Sequence, residues 1–184
     1  MLILFASSSL SAQQILVQDT GSKNDFGLVV GTSVADLLVD TNDSKTVLLA
    51  ARLFAEDIER VTRQKAEIKN DVKSASSICV IVGTIDNSSV IKELVKKKKI
   101  DVTDIKGKWE SYLIQVVDNP FKGVKKALVV AGSDRRGTAY GLFELSKQMG
   151  VSPWYYFADV AVKKSDVMRV FMVGYNCKDK PLAL

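Results

Sequence analysis

Residues able to bind a partner or a ligand are concentrated in the segment 132–141, Gly-Ser-Asp-Arg-Arg-Gly-Thr-Ala-Tyr-Gly. A short polar side chain followed by a carboxylate is typical of a helix start, where backbone N–H groups attract negative charge. Ser133 and Asp134 are therefore predicted to form a helix cap or an anion site. Arg135 and Arg136 follow directly, and a guanidinium at this place can reach a carboxylate on a partner domain or on a ligand.

A run of aromatic residues follows Pro153. Its four members are Trp154, Tyr155, Tyr156 and Phe157. In a loop or an edge strand, such side chains either pack against a neighbouring domain or stack on sugar rings, because both arrangements remove aromatic surface from water. The residues alone favour an interdomain interface. Arg135 is predicted to lie at the same interface or at the edge of a sugar site.

The chain contains no histidine among its 184 residues. This excludes Ser-His-Asp and Cys-His nucleophile systems, histidine base catalysis, and zinc or haem held by histidine. Two cysteines, Cys79 and Cys177, are too few for a four-thiolate metal site. Asp134, Glu144 and Asp159 lie near the aromatic run, but a small domain offers little concavity to hold a sugar between two carboxylates. We therefore predict no catalytic residue, no metal and no cofactor in this chain.

Lysine accounts for much of the formal net charge of +5. Four of the lysines form the run 96–99, at the end of a predicted helix. Cations are favourable there because they meet the negative end of the helix dipole, so a solvated helix end is the preferred interpretation. The run contains no arginine or aromatic residue of the kind that nucleic-acid surfaces interleave with lysine. No nucleic-acid partner is predicted.

The first 14 residues are apolar and rich in small side chains, and they contain Ser-Leu-Ser-Ala, a sequence of the kind that signal peptidase cleaves. We interpret residues 1–14 as an export signal; the alternative is a buried first strand over 2–5. Nowhere else is there an apolar run of the ~20 residues that a membrane span requires. The expected location is periplasmic or extracellular, with no membrane contact beyond export.

Strand-like and helix-like patterns alternate along the chain, which predicts the α/β class, with a mixed β-sheet packed with about three helices. Apolar residues at gaps of three and four predict helices after 41–44, over 88–98 and up to Met149. The continuous apolar run 78–83 predicts a strand covered on both faces, in which Cys79 is an inert buried thiol.

Two further features concern the sheet. The segments 109–117 and 127–131 are predicted to form an antiparallel hairpin, because the link between them is too short for a crossover helix. Gly83 and Thr84 follow a buried strand at a place where α/β folds bind phosphates, which leaves an anion or nucleotide site as a remote option.

The two segments described first also carry a resemblance to a known family. The sequence Gly-Ser-Asp-Arg-Arg-Gly-Thr-Ala-Tyr-Gly-Leu-Phe-Glu-Leu-Ser of 132–146 and Gly-Val-Ser-Pro-Trp-Tyr-Tyr-Phe-Ala-Asp-Val of 150–160 resemble the amino-terminal region of glycoside hydrolase family 115, the xylan α-glucuronidases. Upstream, 50–61 and Lys-Trp-Glu-Ser-Tyr of 108–112 fit the same region. The resemblance covers roughly residues 26–166.

The resemblance implies an α/β domain like the second domain of family 20 hexosaminidases, placed before a catalytic (β/α)8 barrel. Enzymes of family 115 remove glucuronic acid, often 4-O-methylated, from xylan with inversion and without a metal. Their catalytic acid and base lie in the barrel, so the resemblance gives no catalytic carboxylate to carry onto this sequence. A barrel typically needs ~250 residues, more than this chain has.

Residues 167–184 do not resemble the family's continuation. The expected organisation is therefore an export signal over 1–14, an N-terminal α/β domain over 15–166, and an atypical tail over 167–184 that truncation or a frameshift would produce. The leading hypothesis is a non-catalytic N-terminal domain of an exported α-glucuronidase-like enzyme acting on glucuronoxylan, with the barrel as its partner. The alternative is a stand-alone carbohydrate-binding module that uses Trp154, Tyr155 and Tyr156 as a stacking platform.

Overall fold

A computed structural model of the chain describes residues 14–18, 25–152, 155 and 160–173. These residues form three α-helices and nine β-strands in two sheets, which confirms the predicted mixed α/β class. In chain order the elements are β1 Gln14–Gln18, β2 Phe26–Val30, β3 Ser33–Val34, β4 Asp36–Val39, α1 Lys45–Thr62, β5 Ile68–Lys69, β6 Ile78–Thr84, α2 Ser89–Lys96, β7 Tyr112–Phe121, β8 Val124–Gly132, α3 Arg135–Gln148 and β9 Val167–Val173.

The larger sheet has five strands in the order β5-β4-β6-β8-β7. Strands β5, β4, β6 and β8 run parallel, and β7 pairs antiparallel with β8 as the predicted hairpin. Strand β6 lies between β4 and β8 and is buried on both faces, as its continuous apolar sequence predicts. Because these parallel strands point the same way, the loops after β4, β6 and β8 meet at one edge of the sheet.

A second, antiparallel sheet has the strand order β1-β9-β2-β3. Strand β9 pairs with β1 from Gln14 opposite Val173 to Gln18 opposite Arg169, and with β2 on its other side. Residues 167–173, which were predicted to belong to an atypical tail, therefore form an inner strand of this sheet. Local sequence patterns do not reveal this sheet, because β9 is separated from its partners β1 and β2 by more than a hundred residues.

Helices cover both faces of the larger sheet. Helices α1 and α3 pack on one face together with β2, whereas α2 and the segment 100–105 pack on the other. Ser44 is the N-cap of α1, and its hydroxyl accepts a hydrogen bond from the N–H of Val47. The inward positions of this helix follow the predicted spacing, and Phe54 and Ile58 are fully buried. Each such side chain contributes about 1.5–3 kcal/mol by its removal from water.

Helix α3 buries a face made largely of small residues. Gly141 allows close contact with the sheet, since a Cβ atom there would lie 2.8 Å from Cγ1 of Val130. The apolar spacing of the sequence predicts that Leu142, Phe143 and Leu145 all belong to the buried face of this helix. Leu142 and Leu145 are buried, but the prediction for Phe143 is wrong, because 43% of it is exposed. The buried stripe is centred on the small residues, which turns Phe143 away from the core.

The thiol of Cys79 lies on the face of β6 that α2 covers, and the side chain is fully buried. Burial raises its pKa to about 12, because the thiolate would lose its hydration there. The predicted burial of this thiol is confirmed, and since the thiolate is the nucleophilic form, we expect the thiol to be inert at neutral pH.

Candidate functional site

An open cleft of about 540 Å³ lies at the sheet edge where β6 and β8 end. The loop after β6, the loop before β7 and the first turn of α3 form its walls. The lining residues are Ser44, Thr84, Asp86, Asn87, Trp109, Glu110, Ser133, Asp134, Arg135 and Arg136. The cleft thus brings three predicted site residues, Ser133, Asp134 and Arg135, to the carboxyl edge of the parallel strands, where α/β folds commonly bind ligands.

The sequence did not identify Trp109 as a cleft residue, and it also missed Asp86, Asn87 and Glu110. The sequence placed Trp109 at the start of a strand, but β7 begins only at Tyr112, and 83% of Trp109 is exposed. It is the most exposed large apolar residue in the described part of the chain. The signal available was the neighbouring sequence Lys-Trp-Glu-Ser of 108–111, in which the indole stands among polar residues.

The loop that carries Trp109 is fixed to the start of α3. The backbone N–H of Glu110 donates to Oδ2 of Asp134 at 2.9 Å. The N–H of Ser111 donates to the hydroxyl oxygen of Ser133, and that hydroxyl donates to the carbonyl of Ser111, both at 3.0 Å. Glu110 has a φ of 52°, a left-handed conformation that costs a non-glycine residue energy and persists only when its surroundings hold it.

Asp134 is the N-cap of α3. Its Oδ1 accepts hydrogen bonds from the backbone N–H groups of Arg136 and Gly137, each at 2.8 Å. Gly137 lets the loop approach this closely, because a Cβ atom there would lie 2.2 Å from the carbonyl oxygen of Ser111. With its other oxygen bonded to Glu110, the Asp134 carboxylate is fully engaged inside the protein.

The two arginines of the cleft differ in their contacts. Arg136 donates to the Glu110 carboxylate at 2.7 Å, and this hydrogen bond raises the pKa of the Arg136 guanidinium. Arg135 is exposed, and in the part of the chain that the structure describes its guanidinium has no ion-pair or hydrogen-bond partner. A guanidinium presents paired N–H donors that match a carboxylate. Arg135 is therefore the cation of the cleft that remains available to a ligand or partner.

Gly83 and Thr84 do not form an anion site, because a carboxylate of the chain occupies that position. The backbone N–H of Thr84 donates to Oδ2 of Asp43 at 2.7 Å, and its hydroxyl donates to Oδ1 at 3.0 Å. Gly83 is needed for packing, since a Cβ atom there would lie 2.5 Å from Cβ of Ser88. Phosphate would compete with a fixed negative charge here, so the remote nucleotide option receives no support.

A second carboxylate, Asp40, holds the start of α2. It accepts hydrogen bonds from the backbone N–H of Ser89 at 2.7 Å and from the Ser89 hydroxyl, and its other oxygen accepts from the N–H of Asn42 at 2.9 Å. Burial acts to raise the pKa of Asp40, but the hydrogen bonds from Ser89 and Asn42 outweigh it and lower that pKa. The loops after β4 and β6 are thus joined by Asp40 and Asp43.

The predicted aromatic site lies mostly outside the described residues. Trp154, Tyr156 and Phe157 belong to the part that the structure does not describe. Tyr155 is half-buried, and its ring lies 5.2 Å from the guanidinium carbon of Arg60 on α1. Tyr155 therefore contacts its own domain through a cation–π interaction.

Among the described residues, no group of three or more histidine, cysteine, aspartate or glutamate side chains is arranged to hold a metal ion. Of the helices in the described ranges, none combines the length and apolar character that crossing a membrane requires.

Comparisons with known proteins agree on the kind of domain. No curated protein matches the sequence. The solved structure of a family GH115 4-O-methyl-α-glucuronidase, BtGH115A, which has specificity for decorated arabinogalactans, is similar with a TM-score of 0.62 and 31% sequence identity. The likeness covers 84% of this chain and 18% of that one, so this chain spans less than a fifth of the enzyme's length. The family model described as the glycosyl hydrolase family 67 N-terminus matches residues 13–145. The chain belongs to the family of glycosyl hydrolase family 67 N-terminal domains.

Proposed function

We propose that this chain is the non-catalytic N-terminal domain of an exported α-glucuronidase-like glycoside hydrolase that acts on glucuronoxylan. The observation that carries the proposal is the match of residues 13–145 to an N-terminal domain family of glycosyl hydrolases. The 31% identity to a family GH115 enzyme, together with the motifs of 132–146 and 150–160, favours family 115 as the parent. The substrate is inferred from the same resemblance, and export from residues 1–14.

A catalytic (β/α)8 barrel is the proposed partner, because the similar region of BtGH115A is only 18% of a longer enzyme. Docking is assigned to the aromatic residues 154–157, with Arg135 as an ion-pair partner or as part of a sugar-site edge. Tyr140 and Phe143, which are 37% and 43% exposed on α3, add exposed aromatic surface on the helix that precedes this segment in the chain. Exposed aromatic side chains so close together are typical of a contact surface.

Sedimentation velocity over a wide range of protein concentration tests the docking surface. Without a barrel the chain should self-associate through its aromatic surface, and Phe143→Ser should weaken that association. Leu49→Ser is the matched control, because Leu49 is 47% exposed on the other helix of the same face. A chain that stays monomeric at high concentration, or a control variant that weakens association as much as Phe143→Ser, would contradict this surface.

An activity assay tests the non-catalytic role separately. The chain incubated with glucuronoxylan should release no glucuronic acid, since among the described cleft carboxylates Asp134 caps α3 and Glu110 is paired with Arg136, which leaves only Asp86 without a partner where an inverting hydrolase needs two carboxyl groups. Release of free 4-O-methylglucuronic acid by the chain alone would overturn the proposal.

A stand-alone carbohydrate-binding module using Trp154, Tyr155 and Tyr156 is the alternative. Tyr155 argues against it, because its ring packs over Arg60. Titration with glucuronoxylan oligosaccharides tests this alternative. Binding that is lost in Trp154→Ala supports a carbohydrate-binding module, and binding that is unaffected by this substitution counts against it.

A further inference from the structure

The exposure of Trp109 needs a reason, because the indole is a large apolar group that folding normally removes from water. It is 83% exposed and lines the same cleft as Arg135. Isolated exposed apolar residues are ordinary, but this one is combined with a concave surface and an unpaired cation. That combination is the usual composition of a binding site for a ligand with one apolar face and a few polar groups.

The loop presents the indole in a defined place before any ligand arrives. Glu110 is held in a left-handed conformation by its N–H bond to Asp134 and by its carboxylate bond to Arg136. Ser111, the next residue, is bonded to Ser133 through two hydrogen bonds. A platform fixed in this way loses little conformational entropy when a ligand binds, which favours affinity.

The cleft also retains three polar side chains that the fold does not use. In the described residues, the side chains of Asp86, Asn87 and Arg135 are exposed and have no hydrogen-bond or ion-pair partner, while the backbone N–H of Asn87 donates to the Thr84 hydroxyl at 3.2 Å. The other polar groups of the cleft are engaged within the protein, as shown for Asp134 and Thr84. The free groups can accept hydrogen bonds from hydroxyls through Asp86, exchange them through Asn87 and bind a carboxylate through Arg135.

We propose that this cleft binds an acidic oligosaccharide, with the C–H face of one ring stacked on Trp109 and a uronate carboxylate paired with Arg135. That the ligand is a plant uronic-acid sugar rests on the proposed function. The side chains assigned to contact it are inferred from the cleft itself. Asp86 and Asn87 bind the ring hydroxyls. The cleft volume of about 540 Å³ lies within the range of small-ligand sites.

A sugar fits this composition better than a protein surface does. The centres of protein interfaces are depleted in charged residues and rich in apolar ones. Here one indole is surrounded by hydroxyl, amide and charged groups, with Asp86 and Arg135 both unpaired in the described structure. A pyranose offers the matching pattern, because its ring face is apolar and its edge carries hydroxyls.

Nuclear magnetic resonance of the indole N–H groups tests the proposal on the full chain. There are two tryptophans, so two indole signals are expected, and Trp109→Phe identifies the signal of Trp109. The probes are 4-O-methylglucuronosyl-xylotriose and xylotriose. The acidic sugar should shift the Trp109 signal and bind about tenfold more tightly than xylotriose, because only it supplies a carboxylate for Arg135.

Variants measured by calorimetry separate the two contacts. Trp109→Ala should remove binding of both sugars, whereas Arg135→Gln should weaken the acidic sugar about tenfold and leave xylotriose unchanged. Arg52→Gln is the matched control, since Arg52 is an exposed arginine on α1 outside the cleft. Spectra that overlay with those of the unaltered protein show that each variant is folded.

Three results would overturn the proposal: no shift at Trp109 with the acidic sugar, a shift confined to the Trp154 indole, or equal affinity for both sugars. Protection of Trp109 from a soluble quencher on self-association, without any sugar response, would also overturn it and assign the cleft to a protein contact. The three sugar-binding outcomes do not affect the sedimentation test of the docking surface, so failure of the site and failure of the domain assignment are distinguishable.

Discussion

The carboxylate of Asp134 joins the start of α3 to the loop that presents Trp109, and Asp134→Ala would separate them. One oxygen accepts the N–H groups of Arg136 and Gly137 at 2.8 Å, and the other accepts the N–H of Glu110 at 2.9 Å. Substitution by alanine removes all three hydrogen bonds at once. Because two segments 24 residues apart depend on one side chain, the loss of stability in Asp134→Ala should exceed the loss from removing an ordinary helix cap.

The loss of unfolding free energy expected for Asp134→Ala is the sum of two contributions. Loss of an N-cap side chain costs about 0.5–2 kcal/mol of unfolding free energy. The N–H of Glu110 then loses its partner in a half-buried place, which costs about 1–3 kcal/mol when water cannot replace the bond. Since water reaches part of this site, we expect a total of about 2–4 kcal/mol for Asp134→Ala.

Urea unfolding followed by circular dichroism measures this quantity. Asp134→Ser retains a cap for α3 but cannot also reach Glu110, so it should cost less than alanine. Asp71→Ala is the matched control: Asp71 caps an exposed 3₁₀ turn through one bond to the N–H of Lys73 at 3.0 Å. If Asp134→Ala costs no more than Asp71→Ala, the reasoning about the joined loop is wrong.

Three further predictions concern buried groups. Asp43→Ala should lower the unfolding free energy by about 2–4 kcal/mol in urea, because the buried N–H of Thr84 loses its acceptor; a change below about 0.5 kcal/mol would contradict this. Asp40 has a lowered pKa, so its stabilising effect is present above the ordinary value of 3.8 and is lost as the pH falls through the native pKa. Asp40→Asn should therefore flatten the decline of melting temperature in acid, and an unchanged decline would refute that assignment. Burial raises the pKa of Cys79 to about 12, so this thiol should resist iodoacetamide at neutral pH until urea unfolds the chain. Peptide mapping distinguishes its labelling from that of Cys177. Labelling of Cys79 at equal rates in the native and unfolded protein would contradict its burial.

The sequence was informative wherever one segment determines its own structure. Capping residues, apolar spacing and terminating glycines located the helices, and the short link before Val124 predicted the hairpin of β7 and β8. The same local reasoning failed for Phe143, because which side of α3 faces the core depends on the neighbouring sheet. It also failed for Trp109, since apolar residues in strand-like surroundings are usually buried.

Long-range pairing explains what local patterns could not supply. The sheet that joins β1 to β9 forms between residues 14–18 and 167–173, whose own sequences indicate only extended structure. The hydrogen bonds between residues 110–111 and 133–134 likewise join two loops, and the sequence of neither loop indicates that it pairs with the other. Such contacts depend on strand order, which the chain determines only as a whole.

By itself, the sequence determined the α/β class, the absence of histidine chemistry and the likeness to the N-terminal region of a glycoside hydrolase, because composition and contiguous motifs carry these properties. Tertiary structure alone decided that Trp109 is exposed in the cleft that Arg135 also lines, and that Asp43 occupies the position next to Gly83 where an anion was considered. The physical reason is that a site is made by side chains from separate loops, and only the packed sheet brings the ends of its strands to one edge.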